Sequence, residues 1–201
     1  MSKFRGFKEE DYRPSVLPSW ISWWLIFSGV VCTIDVLYTM NRPYTNDRSQ
    51  PFHSFVFAGW HLYSNVDRQY RETNNLVTTT TGRVMLLECF LNFLAVGMAN
   101  ARSRHAILLA FTTNLMVWWK TVMYFTFFLN PPAGTEELFN QNYSYFQMFM
   151  IFWVPNGIWM VFPTLILIVL WNRLALPPKL EEQYWKINKK CRGELTFEAD
   201  D

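Results

Sequence analysis

The chain has 201 residues, of which 51% are hydrophobic, 18% aromatic and only 17% charged, with a formal net charge of +2. A soluble domain usually carries about a quarter charged residues, so an ordinary water-exposed surface is excluded. There is no basic stripe of the kind that nucleic acid requires.

The charges are segregated. They crowd residues 1–13, 41–83 and the stretch after 172, and between Val84 and Leu170 only Glu88, Arg102, Arg104, Lys120, Glu136 and Glu137 are charged. This is the pattern of an integral membrane protein. The N-terminus, MSKFRGFKEEDYRP, is charged and has no apolar stretch before a small-residue cleavage site, so it does not read as a cleavable signal.

Four apolar segments are predicted to span as helices, at about Pro18–Met40, Arg83–Ala101, His105–Leu129 and Tyr145–Trp171. Each is near or above the roughly 20 residues a helix needs to cross the hydrocarbon core. Helix is required because unpaired backbone cannot face lipid. The expected organisation is an N-terminal segment 1–17, a transmembrane domain 18–172 and a charged tail 173–201. Lys3, Arg5, Lys8 and Arg13 precede the first span, Arg102 and Arg104 lie in the short second loop, and Lys and Arg follow the last span. Both termini are therefore expected on the cytoplasmic side. The loop 41–82, with Arg42, Arg48, Arg68 and Arg71, runs against that rule. It is also rich in aromatics (Phe52, Phe55, Phe57, Trp60, Tyr63), and is expected to lie at the interface and cap the mouth of the bundle.

Three ionisable residues fall inside the spans: Asp35, Glu88 and Lys120. A charge at bilayer depth costs from about 2.5 kcal/mol upward and usually faces a bundle interior or polar cavity. One residue from each of three spans points to a shared polar pocket. Glu88, with Asn92 one turn on, reads either as a proton-handling carboxyl or as a buried carboxyl bonded to a neighbouring helix. Asp35 and Glu88 should lie at similar depth. Two adjacent carboxyls do not ionise together easily, which suits an acid/base pair. The alternative is that Asp35 neutralises Lys120. Lys120, with Tyr124 one turn on, reads most simply as a counter-ion. Asn156 and Trp159 share a face of the fourth span, where Pro155 and Pro163 interrupt its bonding. Cys32, Cys89 and Cys191 have neither metal spacing nor a disulfide framework. His53, His61 and His105 read as structural or interfacial, and no phosphate or hydrolase motif is present.

These residues resemble the EXPERA family, which includes emopamil-binding protein (the sterol Δ8–Δ7 isomerase) and the sigma-2 receptor. Asn156-Gly-Ile-Trp159-Met-Val-Phe-Pro163 is similar to the isomerase's Asn-x-x-Trp-x-x-x-Pro. Tyr63-Ser-Asn-Val-Asp67-Arg-Gln-Tyr70 is similar to its Tyr-x-x-x-Asp-x-x-Tyr. Val122-Met-Tyr124-Phe125 resembles the end of its third helix, and Asp35 followed by Pro43 resembles its first-helix acid. Glu88 takes the place of its second-helix acid, behind a stretch that looks several residues longer here. The family's His before the first-helix acid has no counterpart in Val30-Val31-Cys32-Thr33-Ile34, and Thr121 after Lys120 stands where the family has an Asp.

The resemblance covers about residues 20–172. It implies an all-α polytopic membrane protein, a bundle of four to five transmembrane helices. It implies a cofactor-independent isomerase or cyclase of the endoplasmic reticulum membrane, shifting a double bond in a sterol, terpenoid or other lipophilic specialised metabolite. Glu88 and Asp35 would be the catalytic carboxyls. Asn156, Trp159, Tyr70, Asn92, Lys120 and Tyr124 would bind substrate, with Trp159 facing a cationic intermediate. The expected partners are the bilayer and a lipophilic small molecule, no nucleic acid, with a homodimer left open. The alternatives are a non-catalytic binder of sterols or amphiphilic amines, as the sigma-2 receptor is, and a lipid-regulating scaffold.

Overall fold

A computed structural model describes residues 16–129, 131 and 133–175. The 1–13 charge cluster and most of the tail, including Cys191, lie outside the described residues.

The described chain is all-α. Its elements are α1 (Ser19–Met40), a 3-10 turn (Tyr44–Asn46), α2 (Pro51–Val56), α3 (Ala58–Val66), α4 (Arg68–Arg71), α5 (Leu76–Asn100), α6 (His105–Leu129), α7 (Tyr145–Met148), a π-turn (Phe149–Trp153) and α8 (Val154–Ala175). Four helices are long and apolar enough to cross a membrane: α1, α5, α6 and the continuous run Tyr145–Ala175. They pack as a bundle in which α5 lies between α1 and α6, and α6 meets α8.

The second span begins earlier than its apolar pattern predicts. Asn75 accepts a hydrogen bond from the Thr78 backbone N–H at 3.0 Å, which caps the helix. The Thr run 78–81 therefore forms its first turns. Glu88 sits at mid-helix rather than one turn in. Its depth relative to α1 follows from two contacts. A Cβ on Gly29 would lie 2.8 Å from the Phe93 ring, and one on Gly82 would lie 3.3 Å from the Thr39 hydroxyl. Interpolating between these contacts puts Glu88 level with about Thr33 or Ile34, within roughly half a helical turn of Asp35.

The bundle has a dry end and a polar end. At the dry end Leu17, Ile21, Leu25, Ile166 and Leu170 pack with Ala95, Ala99, Ala106 and Ala110. Small residues let helix backbones approach closely, which is how membrane helices gain contact without a hydrophobic drive. At the other end the packing is aromatic and polar. Phe152, fully buried, meets Tyr63, Tyr124, Phe128 and Phe139.

The loop 41–75 closes this end, as its aromatic content predicts, and Arg42 fastens it. Arg42 is 9% exposed, and its guanidinium donates to the carbonyls of Thr39 (2.8 Å), Gln69 (3.1 Å), Tyr70 (3.0 Å) and Glu72 (2.6 Å), and to the Thr78 hydroxyl (2.8 Å). A cation over the last carbonyls of α4 also suits the negative end of that helix. Arg48 donates to the His61 carbonyl (3.1 Å) and the Asn65 side chain (2.8 Å). His61 packs inward against the Thr45 carbonyl at 2.7 Å, a structural role. Two of the four arginines that conflict with the charge rule are thus built into the loop itself. The loop between α6 and α7 joins this cap through a bridge at Asp67 and Phe139.

Candidate functional site

A cavity of about 430 Å³ opens inside the polar end, within the size range of small-molecule sites. Every element around it contributes. Cys32 and Asp35 come from α1, Trp60 and Tyr63 from α3, and Tyr70 from α4. Thr78, Thr81 and Met85 come from α5, and Lys120, Thr121 and Tyr124 from α6. Met150 and Ile151 come from the π-turn, and Pro155, Asn156 and Trp159 from α8.

Asp35 is held from both sides by the loop. The Trp60 indole N–H donates to Oδ1 at 2.7 Å and the Tyr70 hydroxyl to Oδ2 at 3.1 Å. Both donors come from sequence-distant positions, so the carboxylate is oriented only once the cap has docked. Burial, reinforced by nearby carboxylates, pushes the Tyr63 and Tyr70 hydroxyls well above the ordinary phenol value. Both stay protonated.

Behind the cavity lies a second carboxyl. Asp67, fully buried, accepts the Tyr124 hydroxyl at 2.5 Å and the Gln69 backbone N–H at 2.9 Å, capping α4. Burial raises it from the ordinary 3.8 to about 7, although these hydrogen bonds pull the other way.

Asn156 is placed by the break in the fourth span. Pro155 has no N–H to give the backbone ladder, and the π-turn precedes it. The Asn156 amide donates to the Phe152 carbonyl at 2.8 Å and to the Tyr63 hydroxyl at 2.9 Å. The helix continues through Pro163 to Ala175.

The cavity brings together six of the eight residues singled out from sequence: Asp35, Tyr70, Lys120, Tyr124, Asn156 and Trp159. Glu88 and Asn92 are not in its lining. Successive helix residues diverge by about 100°. Cys89 packs with Cys32 of α1, while Glu88 is turned to α6, where it is 1% exposed and forms an ion pair with Lys120. The counter-ion of Lys120 is therefore Glu88. Asp35 and Glu88 share a depth without sharing the wall, and Thr78, Thr81 and Met85 are what α5 presents to the cavity. Among the described residues, the Glu88 Oε1, Asn92 Oδ1 and Trp159 Nε1 atoms are buried with no hydrogen-bond partner.

Trp60 had no specific signal beyond the aromatic density of its loop, and Thr81 had none. Among the described residues no three His, Cys, Asp or Glu side chains gather as a metal-binding set. Comparison of the chain with family models, curated proteins and solved structures returns no significant match.

Proposed function

We propose that this protein is a membrane-embedded, carboxyl-dependent isomerase that shifts a double bond in a sterol, terpenoid or similar lipophilic molecule entering from the bilayer. The observation that carries the reading is Asp35. It is a carboxylate in an aromatic cavity, oriented by Trp60 and Tyr70. The EXPERA resemblance of the Asn156–Pro163 and Tyr63–Tyr70 segments supports the same reaction class. Endoplasmic reticulum residence belongs to this proposal. So do cytoplasmic termini, which the basic residues flanking the spans support.

One carboxyl suffices for the proton count. It moves a proton from one carbon of the allylic system to another, and is regenerated. Trp60 and Tyr70 position it, Asn156 and Tyr63 form a polar patch, and the remaining aromatic wall holds the apolar body.

The test is turnover by proteoliposomes containing the full chain, offered a panel of unsaturated sterols and terpenoids, with products separated by mass spectrometry. Wild type should convert at least one panel member, and Asp35→Asn should lose that activity with the protein still folded. Equal turnover by the variant would sink the proposal.

A second reading is non-catalytic binding of an amphiphilic amine. It is favoured by the finding that, among the described lining residues, Asp35 is the sole carboxylate amid aromatic rings, a good environment for a cation. Lys120 in the same wall counts against it. Saturable binding of a cationic amphiphile, lost in Asp35→Asn, with no product from any panel member, would favour this reading.

A further inference from the structure

The cavity wall carries a cation and an idle donor that the isomerase reading leaves unused. Lys120 lines the cavity, and its partner Glu88 lies outside the lining. The ligand-facing side of this ion pair is therefore its positive side. The side chain of Lys120 is 12% exposed, so its ammonium is poorly hydrated. Trp159 lines the same cavity, and its indole N–H is buried with no acceptor among the described residues. A buried donor without a partner is destabilising. That cost is recovered when a ligand supplies an oxygen.

The sign of the charge selects the chemistry. A carbocation formed beside Lys120 would meet the positive side of the ion pair and be repelled by it. An oxyanion formed there would gain attraction from the same ammonium. Preorganised donors aimed at a developing oxyanion are usually the largest single catalytic contribution.

We propose that Lys120 and Trp159 form an oxyanion site, and that the substrate class is a lipophilic β,γ-unsaturated ketone isomerised to its conjugated α,β-enone. This rests on the isomerase reading and names its substrate. The Asp35 carboxylate removes a proton from the carbon between the carbonyl and the alkene. The C–H electron pair forms a new C=C, the π electrons move to the carbonyl oxygen, and the dienolate oxygen takes hydrogen bonds from Lys120 and Trp159. The electrons then return. The γ-carbon takes the proton back from Asp35, and the double bond rests in conjugation. Atoms and electrons balance with no redox partner.

The experiment uses the full chain in nanodiscs. One probe is a Δ5-3-keto sterol, followed by the ultraviolet absorbance of the conjugated enone. The other is the matching Δ5-3-hydroxy sterol, followed by mass spectrometry. Lys120→Met alone would strand Glu88, so the variant is Lys120→Met with Glu88→Gln, checked by its melting temperature. Trp159→Phe is the second variant, and keeps the ring while removing the N–H. Wild type should conjugate the ketone well above the rate in empty nanodiscs and leave the alcohol unchanged. The double variant should lose about 10²–10³-fold in kcat, the range for removal of an oxyanion donor, with KM within a few-fold. Trp159→Phe should lose kcat in the same sense, and Asp35→Asn should be inactive. Three results would overturn the assignment. The first is a folded double variant or Trp159→Phe that keeps wild-type kcat on the ketone. The second is wild type converting an isolated-alkene sterol and not the ketone, which removes the oxyanion site and leaves the isomerase standing. The third is wild type converting neither these probes nor any member of the wider panel, which removes both.

Discussion

Glu88 on α5 accepts a hydrogen bond from the ammonium of Lys120 on α6 and lies behind it, outside the lining of the cavity that Lys120 faces. The pair makes one wall of the cavity positive while keeping the bundle interior neutral. Removing either partner alone leaves a buried charge unmatched, which costs about 3–5 kcal/mol, whereas an apolar or neutral pair of similar size is often tolerated. Glu88→Gln is expected to lower the melting temperature of the detergent-solubilised protein sharply. Lys120→Met combined with Glu88→Gln is expected to recover most of the loss. A double variant as unstable as the sum of the two singles would show that the residues do not act as a pair.

Asp35→Asn preserves shape and one acceptor oxygen for Trp60 and Tyr70 while deleting the proton-handling group. General acid–base catalysis by a positioned group contributes about 10²–10⁴-fold, so kcat should fall by at least about 10²-fold with little change in melting temperature. Trp60→Phe should fall less, because the Tyr70 hydroxyl still holds the other oxygen. Steady-state kinetics beside a thermal melt separates these outcomes.

Asp67 gives stability a pH dependence of unusual sign. Its folded value of about 7 lies above the ordinary 3.8, so between these values the folded state binds the proton and the unfolded state does not. Stability then falls as pH rises through this window, by up to about 1.4 kcal/mol per pH unit, and levels off above it. Asp67→Asn keeps an oxygen for the Gln69 N–H, sets its amide N–H against the Tyr124 hydroxyl, whose oxygen can accept it, and cannot ionise. It should flatten the slope between pH 4 and 7 and be the more stable protein at pH 8. Melting curves across pH 4–8 for both proteins test the sign.

The membrane spans were legible because length and apolarity dominate in lipid. The third was placed at both ends, and the fourth at its start. The second began earlier than expected because Thr78–Thr81 is polar by composition. A capped first turn tolerates threonines, and Thr78 is occupied by Arg42. Asp35, Lys120, Tyr124, Asn156 and Trp159 were legible as cavity residues, since intramembrane polar groups turn inward, whereas Tyr70 lies in the loop and was named only through the resemblance. The orientation of Glu88 was not. Depth can be read from sequence, but whether a residue faces α1 or α6 depends on helix rotation, which packing sets. The role of Trp60 depends on a loop docking across 25 positions of chain, and no local pattern encodes that.

Arg42 should be irreplaceable by lysine. A guanidinium presents five donors in a rigid fork, and an ammonium presents three on a flexible stem. Arg42→Lys leaves at least two of the Thr39, Gln69, Tyr70, Glu72 and Thr78 oxygens unserved. Hydrogen bonds to charged groups contribute about 1.5–3 kcal/mol each, so a loss of about 3 kcal/mol or more is expected. The damage should be local. Limited proteolysis and amide exchange should rise between Asp67 and Leu76 while the protection of α6 is unchanged. Uniform loss of protection across the bundle would contradict a fastening role.

Asn156 separates the effects of shape and polarity at the break in the fourth span. Its amide serves the Phe152 carbonyl and the Tyr63 hydroxyl together. Leucine fills similar volume but gives up both hydrogen bonds, at about 0.5–1.5 kcal/mol each. An ionised aspartate does worse, because it sets a carboxylate against the carbonyl oxygen where the amide N–H had been, in a poorly hydrated site. The expected order of melting temperatures is therefore wild type, then Asn156→Leu, then Asn156→Asp. The gap between the last two should close at low pH, where the aspartate is protonated and donates again. An aspartate variant as stable as wild type at neutral pH would mean that the Asn156 amide does not hold the Phe152 carbonyl in the membrane.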